Sequence, residues 1–249
     1  MVMRQGVHWC LDLDEGIDFS IYLLGAFERP TAQALRRLVR PGSVVLDIGA
    51  NIGAHCLPLA RLVGDNGRVF AFEPTAPARA KLERNLALNP DLVARVQIEA
   101  LMLLDRDRAP LPSAIEASWP VSGKIDDGGS VARAWTTVGA HVITLDRFVA
   151  EAGLERVNLI KIDVDGYEPA VLTGAAAVLR RFRPVIVIEL APDALAAQGH
   201  DLADLVALLA GAGYRLFDLR EHAPLPTGER LARLIPRAGS INAVARAVA

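Results

Sequence analysis

Cysteine is scarce in this chain of 249 residues, with Cys10 and Cys56 its only two. Cys56 lies among apolar residues of a predicted helix, so it reads as a buried thiol; neither a disulfide nor a cysteine nucleophile is expected. Long apolar runs are missing too, and nothing approaches the roughly eighteen residues that a membrane-spanning helix needs. The chain also lacks a basic tract. Its 27 Lys and Arg are balanced by 29 Asp and Glu, a formal charge of −2, which argues against a nucleic-acid partner. Asp12, Asp14 and Glu15 stand where a secretory leader would carry its apolar core, so a reducing cytoplasm is the expected compartment.

Apolar residues, by contrast, make up 52 % of the sequence, enough for a sizeable core, and the length suits one α/β domain with an elaborated rim. Residues 7–24 alternate around Asp14-Glu15-Gly16 and predict a β-hairpin. Pro30 and Thr31 open a covering helix that Pro41 and Gly42 stop. Val44 to Ile48 is a short apolar run of the kind buried on both faces of a parallel sheet. A helix over 52–63, a strand over 68–72, a helix over 77–88 and a strand over 96–101 continue the alternation.

Pro110, Pro112, Pro120 and Asp126-Asp127-Gly128-Gly129 break that rhythm, and 105–140 reads as a rim insertion. Beyond it come a helix over 146–152, a strand over 159–164, a helix over 167–180 and a strand over 185–190. A helix over 200–212 and strands over 214–219 and 240–247 end the chain, the last two as a hairpin. The sum is a Rossmann-like α/β sheet of about seven strands with helices on both faces. One domain would thus comprise a hairpin and covering helix (1–43), a cofactor-binding half (44–104), the rim insertion (105–140) and a catalytic half with the terminal hairpin (141–249).

The most specific signal is Asp47-Ile48-Gly49-Ala50-Asn51-Ile52-Gly53, between a buried strand and a helix. Glycines there permit unusual dihedrals and close ligand approach, and a helix N-terminus offers amides to a negative group. The spacing differs from the G-x-G-x-x-G of dinucleotide enzymes. Asp47 could accept a hydrogen bond from a ligand ammonium, which an amino-acid-bearing cofactor supplies, or could orient the turn. Glu73 ends the next strand, where a carboxylate can receive both hydroxyls of a ribose or interact with the amides of the following helix.

The segments V-V-L-D-I-G-A-N-I-G (44–53), V-F-A-F-E-P (69–74), I-T-L-D (143–146), L-I-K-I-D-V-D-G-Y-E-P-A-V-L-T-G-A (159–175) and P-V-I-V-I-E (184–189) together resemble the FkbM family of S-adenosylmethionine-dependent methyltransferases. The resemblance implies a class I methyltransferase fold, S-adenosylmethionine as cofactor, and O-methylation of a sugar or another small hydroxylated natural-product intermediate. It also implies that Asp47, Gly49, Ala50, Asn51 and Gly53 cradle the methionine part of the cofactor, that Glu73 binds its ribose, and that Ala100 and Leu101 lie near adenine. The leader at 8–25 is similar to one in some family members. It would shape the acceptor pocket or simply bury Trp9, Leu11 and Leu13.

A hydroxyl attacking a methyl group needs a base or a cation to make it nucleophilic. Asp163 and Glu189 end two strands at the carboxyl edge, where ligands of open sheets bind, and are the candidate catalytic residues. They could act as metal-free base and orienting acid, or as ligands of Mg²⁺ in the manner of catechol-type O-methyltransferases. Alternation sends Asp165 to the same side as Asp163, but Asp165 and Glu168 also have capping-box spacing. His55 and His200 are further candidate bases, and Lys161 reads as a strand residue paired near the sheet. Two other functions stay open: a nicotinamide-dependent reductase, against which the glycine spacing and the absence of a Tyr-x-x-x-Lys pair count, and a cofactor-binding module without turnover. The expected partner is a small hydroxylated substrate, with no membrane or nucleic acid involved, and homo-oligomer formation is left open.

Overall fold

The computed structural model describes residues 1–122, 133–221 and 223–248. The Asp126-Asp127-Gly128-Gly129 part of the insertion, and His222, lie outside the described residues. The first elements are β1 (Val2–Arg4), β2 (Val7–Trp9), α1 (Gly16–Leu24), α2 (Arg29–Leu38), β3 (Val44–Ile48), α3 (Cys56–Val63), β4 (Arg68–Phe72), α4 (Ala76–Ala87) and β5 (Val96–Glu99). The middle of the chain forms β6 (Leu101–Leu103), β7 (Ala114–Ser118), β8 (Arg133–Thr136), β9 (His141–Ile143), α5 (Leu145–Glu151) and β10 (Leu159–Ile162). Then follow α6 (Glu168–Thr173), α7 (Ala176–Phe182), β11 (Val185–Leu190), α8 (Pro192–Ala197), α9 (Leu202–Gly211), β12 (Tyr214–Phe217), α10 (Glu229–Ala232) and β13 (Ile241–Ala247).

Among the described residues a seven-stranded, mostly parallel sheet has the order β12-β13-β11-β10-β3-β4-β5. The fold is thus the expected Rossmann-like α/β class. No helix of the described residues is long and apolar enough to cross a membrane. The chain forms two compact units: residues 1–42, 49–102 and 110–141 make the first, and residues 43–48, 103–109 and 142–249 the second.

In the first unit the N-terminal hairpin spans residues 2–9 instead of 7–24, with Val2 opposite Trp9 and Arg4 opposite Val7. Gln5 and Gly6, at φ 52° and 72°, form its two-residue turn, the left-handed geometry that suits the twist of paired strands. Residues 16–24 are helical. Asp18 and Ile21, three apart, are its buried pair, and Gly25 closes the helix in the left-handed region with its N–H on the Ile21 carbonyl. An apolar run as dense as Ile17–Leu24 does not separate helix from strand by periodicity, which is why alternation misled. Helix α3 begins at Cys56, four residues later than expected, because Asn51 and Gly53 hold positive φ values of 46° and 90°.

The rim insertion is less irregular than its prolines suggest. Strands β7 and β8 pair antiparallel, with Ile115 opposite Trp135. The chain before α1 is tied to this hairpin: Gly16 N–H donates to the Trp119 carbonyl at 2.9 Å and Val121 N–H to that of Asp14 at 2.6 Å.

In the second unit β3, β10 and β11 run parallel, placing Lys161 beside Asp47 on one neighbour and Val187 on the other. All residues of β3 and β10 are buried, as expected of strands covered on both faces. Strand β13 pairs antiparallel with both β11 and β12, so the last two strands do associate. The single helix expected over 167–180 is instead two. Gly174 lies at the break, where a Cβ would fall 2.1 Å from the Leu104 carbonyl oxygen; this close approach admits only glycine. Helix α8, unforeseen in the sequence, packs so tightly that a Cβ on Gly166 would meet the Ala194 carbonyl oxygen at 2.2 Å.

Candidate active site

The glycine turn of the first unit is held from below. Gly49 and Ala50 N–H groups donate to the Phe72 carbonyl at 3.1 and 3.0 Å, and Asn51 N–H donates to Glu73 Oε2 at 2.8 Å. These three amides are therefore committed to the protein, in contrast to the anion cradle that a helix start suggests. Glu73 is buried, and its Oε1 also accepts Thr75 N–H at 2.8 Å and the Thr75 hydroxyl at 2.6 Å. Burial pushes the Glu73 carboxyl up, opposed by these bonds from Thr75 and Asn51. Its position thus joins turn and helix start. Three donors leave room within the roughly four acceptor sites of a carboxylate. The Asn51 side chain donates to the Ala117 carbonyl at 3.1 Å, which ties the turn to β7. Ala100 and Leu101, both half-buried, link β5 and β6, and the Ala100 carbonyl accepts His141 N–H at 3.0 Å.

His55 is buried where α3 begins, its Nε2 3.5 Å from Glu28 Oε2 and its ring 5.8 Å from that of Phe27. Glu28 itself holds a left-handed φ of 42°. Another buried charge in this unit is Asp18, raised by burial, with Lys81 Nζ 3.7 Å away and 5.6 Å from the Trp135 ring centre.

The second unit gathers the charged residues of the central strands. Lys161 Nζ lies 3.1 Å from Asp163 Oδ2 and 3.5 Å from Asp47 Oδ1. Asp47 is fully buried, and Asp163 prolongs the ladder through an N–H bond to the Ile48 carbonyl at 3.1 Å. Asp165 leaves the strand pattern at φ 50°, yet its charge, like that of Asp163, acts on Glu189. It does not cap α6, whose N-cap is Tyr167 without a side-chain bond. Glu168, buried, instead accepts Val164 N–H at 3.0 Å, and burial with some help from the Asp163 charge pushes its carboxyl up to about 7. Glu189, at the end of β11, accepts the Ser240 hydroxyl at 2.5 Å. Burial first, then the like charge of Asp163, pushes Glu189 up to about 9, so at neutral pH it holds a proton.

Asp163 and Glu189 are therefore electrostatic neighbours, as the strand-end argument anticipated. Lys161, expected as a strand residue paired near the sheet, is so paired, and its partners are Asp47 and Asp163. His200 sits between α8 and α9 with its N–H on the Leu195 carbonyl, and among the described residues no ion pair joins it to Asp163 or Glu189. These donors fit Mg²⁺ poorly. Asp163 already faces an ammonium, and among the described residues no three His, Cys, Asp or Glu side chains are grouped to hold a metal.

The fold is that of a Rossmann-like α/β protein with acids at the strand ends, and the family comparison gives its class, a methyltransferase. The chain matches the Methyltransferase FkbM domain over residues 47–216 and belongs to that family. It is 28 % identical over 229 residues to 31-O-demethyl-FK506 methyltransferase FkbM of Streptomyces tacrolimicus, covering 80 % of this chain and 82 % of that one. It is 28 % identical over 160 residues to hexuronic acid methyltransferase AglP of Haloferax volcanii, covering 64 % of this chain and 61 % of that one. A 31 % match over 180 residues to AMB antimetabolite synthetase AmbE of Pseudomonas aeruginosa takes in 59 % of this chain but only 8 % of that much longer protein. Among solved structures, a putative rRNA-methylase from Clostridium thermocellum shares the fold at TM-score 0.51 and 14 % identity, over 88 % of this chain and 94 % of that one.

Proposed function

We propose that this family member is an S-adenosylmethionine-dependent O-methyltransferase acting on a hydroxyl of a sugar or other small natural-product intermediate. The observation that carries the reading is Asp163, a strand-end carboxylate set by Lys161 and by its backbone bond to Ile48. Two relatives support the acceptor class by name, one modifying demethyl-FK506 and one a hexuronic acid. When bound, S-adenosylmethionine supplies an electrophilic methyl group. Asp47, Gly49, Ala50, Asn51 and Gly53 would hold its methionine part, Glu73 its ribose hydroxyls, and Ala100 and Leu101 its adenine. Low cysteine usage supports a cytoplasmic location.

Asp163 takes the proton of the acceptor hydroxyl as that oxygen attacks, and the protonated Glu189 offers a hydrogen bond that orients the acceptor. Both tasks are metal-free. Asp163→Asn keeps the shape and removes the charge, so turnover is expected to fall by about a hundredfold or more while fold and cofactor affinity are kept. The check is single-turnover methyl transfer to a panel of sugars and polyketide alcohols, with affinity measured in parallel. Wild-type rates in Asp163→Asn would refute the base assignment and turn attention to His55.

A further inference from the structure

We propose that Lys161 is the fixed cation of this site, a positioning residue whose ammonium holds Asp47 and Asp163 in the place a divalent metal would otherwise take. Lys161 stands beside Asp47 in the β3–β10 register, and Asp163 follows two positions on, so the three side chains share one face. The Nζ atom lies 3.5 Å from Asp47 Oδ1 and 3.1 Å from Asp163 Oδ2. Their side chains are 3 %, 0 % and 21 % exposed respectively, which makes this the most deeply buried ion-paired group among the described residues.

Burying an ammonium costs several kcal/mol, and the other residues of β10, Leu159, Ile160 and Ile162, show what the position takes when packing alone decides. Lys161 is thus accounted for by the two charges it meets. An ammonium is a compact point charge with three donors, able to serve carboxylates on adjacent strands at once. Mg²⁺ would need those same oxygens in a near-octahedral shell, and the ammonium both fills the approach and repels it. The inference rests on reading Asp163 as proton acceptor and Asp47 as a cofactor-binding residue: Lys161 meets both carboxylates.

The test is calorimetric titration of wild type, Lys161→Met and Lys161→Met/Asp163→Asn, first with MnCl₂ and then with S-adenosylhomocysteine. Wild type is expected to show no saturable Mn²⁺ uptake. Lys161→Met, with two carboxylates left facing each other, gains a saturable site, and the double variant loses it. Saturable Mn²⁺ binding by wild type that Asp163→Asn abolishes would overturn the proposal, and so would a folded Lys161→Met without a Mn²⁺ site. Lys161→Met should also weaken S-adenosylhomocysteine about tenfold, with partial recovery in the double variant as like-charge repulsion on Asp47 is relieved. Wild type that ignores S-adenosylhomocysteine would refute the methyltransferase reading instead, leaving the Mn²⁺ result to judge Lys161. Should Lys161→Met fail to fold, folding of the double variant supports the coupling. If neither folds, Lys161→Arg, which keeps the charge, is expected to fold and exclude Mn²⁺; Mn²⁺ uptake by that variant would contradict the account.

Discussion

Gly53 closes the glycine turn at φ 90°, and a Cβ there would lie 2.5 Å from Leu82 Cδ1 and 3.2 Å from Leu57 Cγ. Both strain and crowding oppose any larger residue, so Gly53→Ala is expected to cost about 1–3 kcal/mol of stability, measurable by urea unfolding. An unchanged midpoint would mean that the turn relaxes freely. Glu168 gives a pH signature. Its folded value of about 7 lies above its ordinary 4.5, so the folded state keeps a proton that the unfolded chain has lost. Stability from this group is thus full below about 4.5 and falls as pH rises to about 7. Glu168→Gln should flatten that part of the pH–melting curve; a curve of unchanged slope would contradict the assignment. At this scale the sequence displayed Asp47, Glu73 and Asp163 because each adjoins a glycine turn or ends a strand. Lys161 was legible as a paired strand residue, but its partner Asp47 and the His55–Glu28 pair, 27 positions apart, were hidden because residues distant in sequence share no local pattern.

Elements show where periodicity is a strong guide and where it is silent. Strands β3, β4 and β11 were legible as short apolar runs between turn signals, and α2 and α4 from their proline starts. The hairpin of residues 2–9 was missed because its signal is a Gln-Gly turn between three-residue strands, too short for alternation to register. The β7–β8 hairpin touches the glycine turn. It is pinned by the Asn51–Ala117 bond and by the stacking of Lys81 on Trp135. Binding of S-adenosylhomocysteine at the glycine turn should therefore slow hydrogen exchange in residues 114–118 and 133–136. Asn51→Ala should weaken that protection. Equal exchange with and without ligand would remove the hairpin from any gating role.

For the whole molecule, the strand order with an antiparallel final pair agrees with the sheet inferred from alternation and from the resemblance, because parallel βα units leave few permitted topologies. The division into two compact units was not legible: the chain crosses between them five times, at places no composition shift marks. Acceptor identity likewise depends on rim shape, not on the common sheet. The central claim is that the glycine turn and Glu73 bind S-adenosylmethionine. Calorimetric titration of wild type and Glu73→Ala with S-adenosylmethionine, S-adenosylhomocysteine and NADPH tests it most directly. The account predicts saturable binding of the first two ligands by wild type, at least about tenfold weaker binding by Glu73→Ala, and no binding of NADPH. Binding of NADPH in place of the sulfonium cofactor, or a folded Glu73→Ala with wild-type affinity, would contradict it.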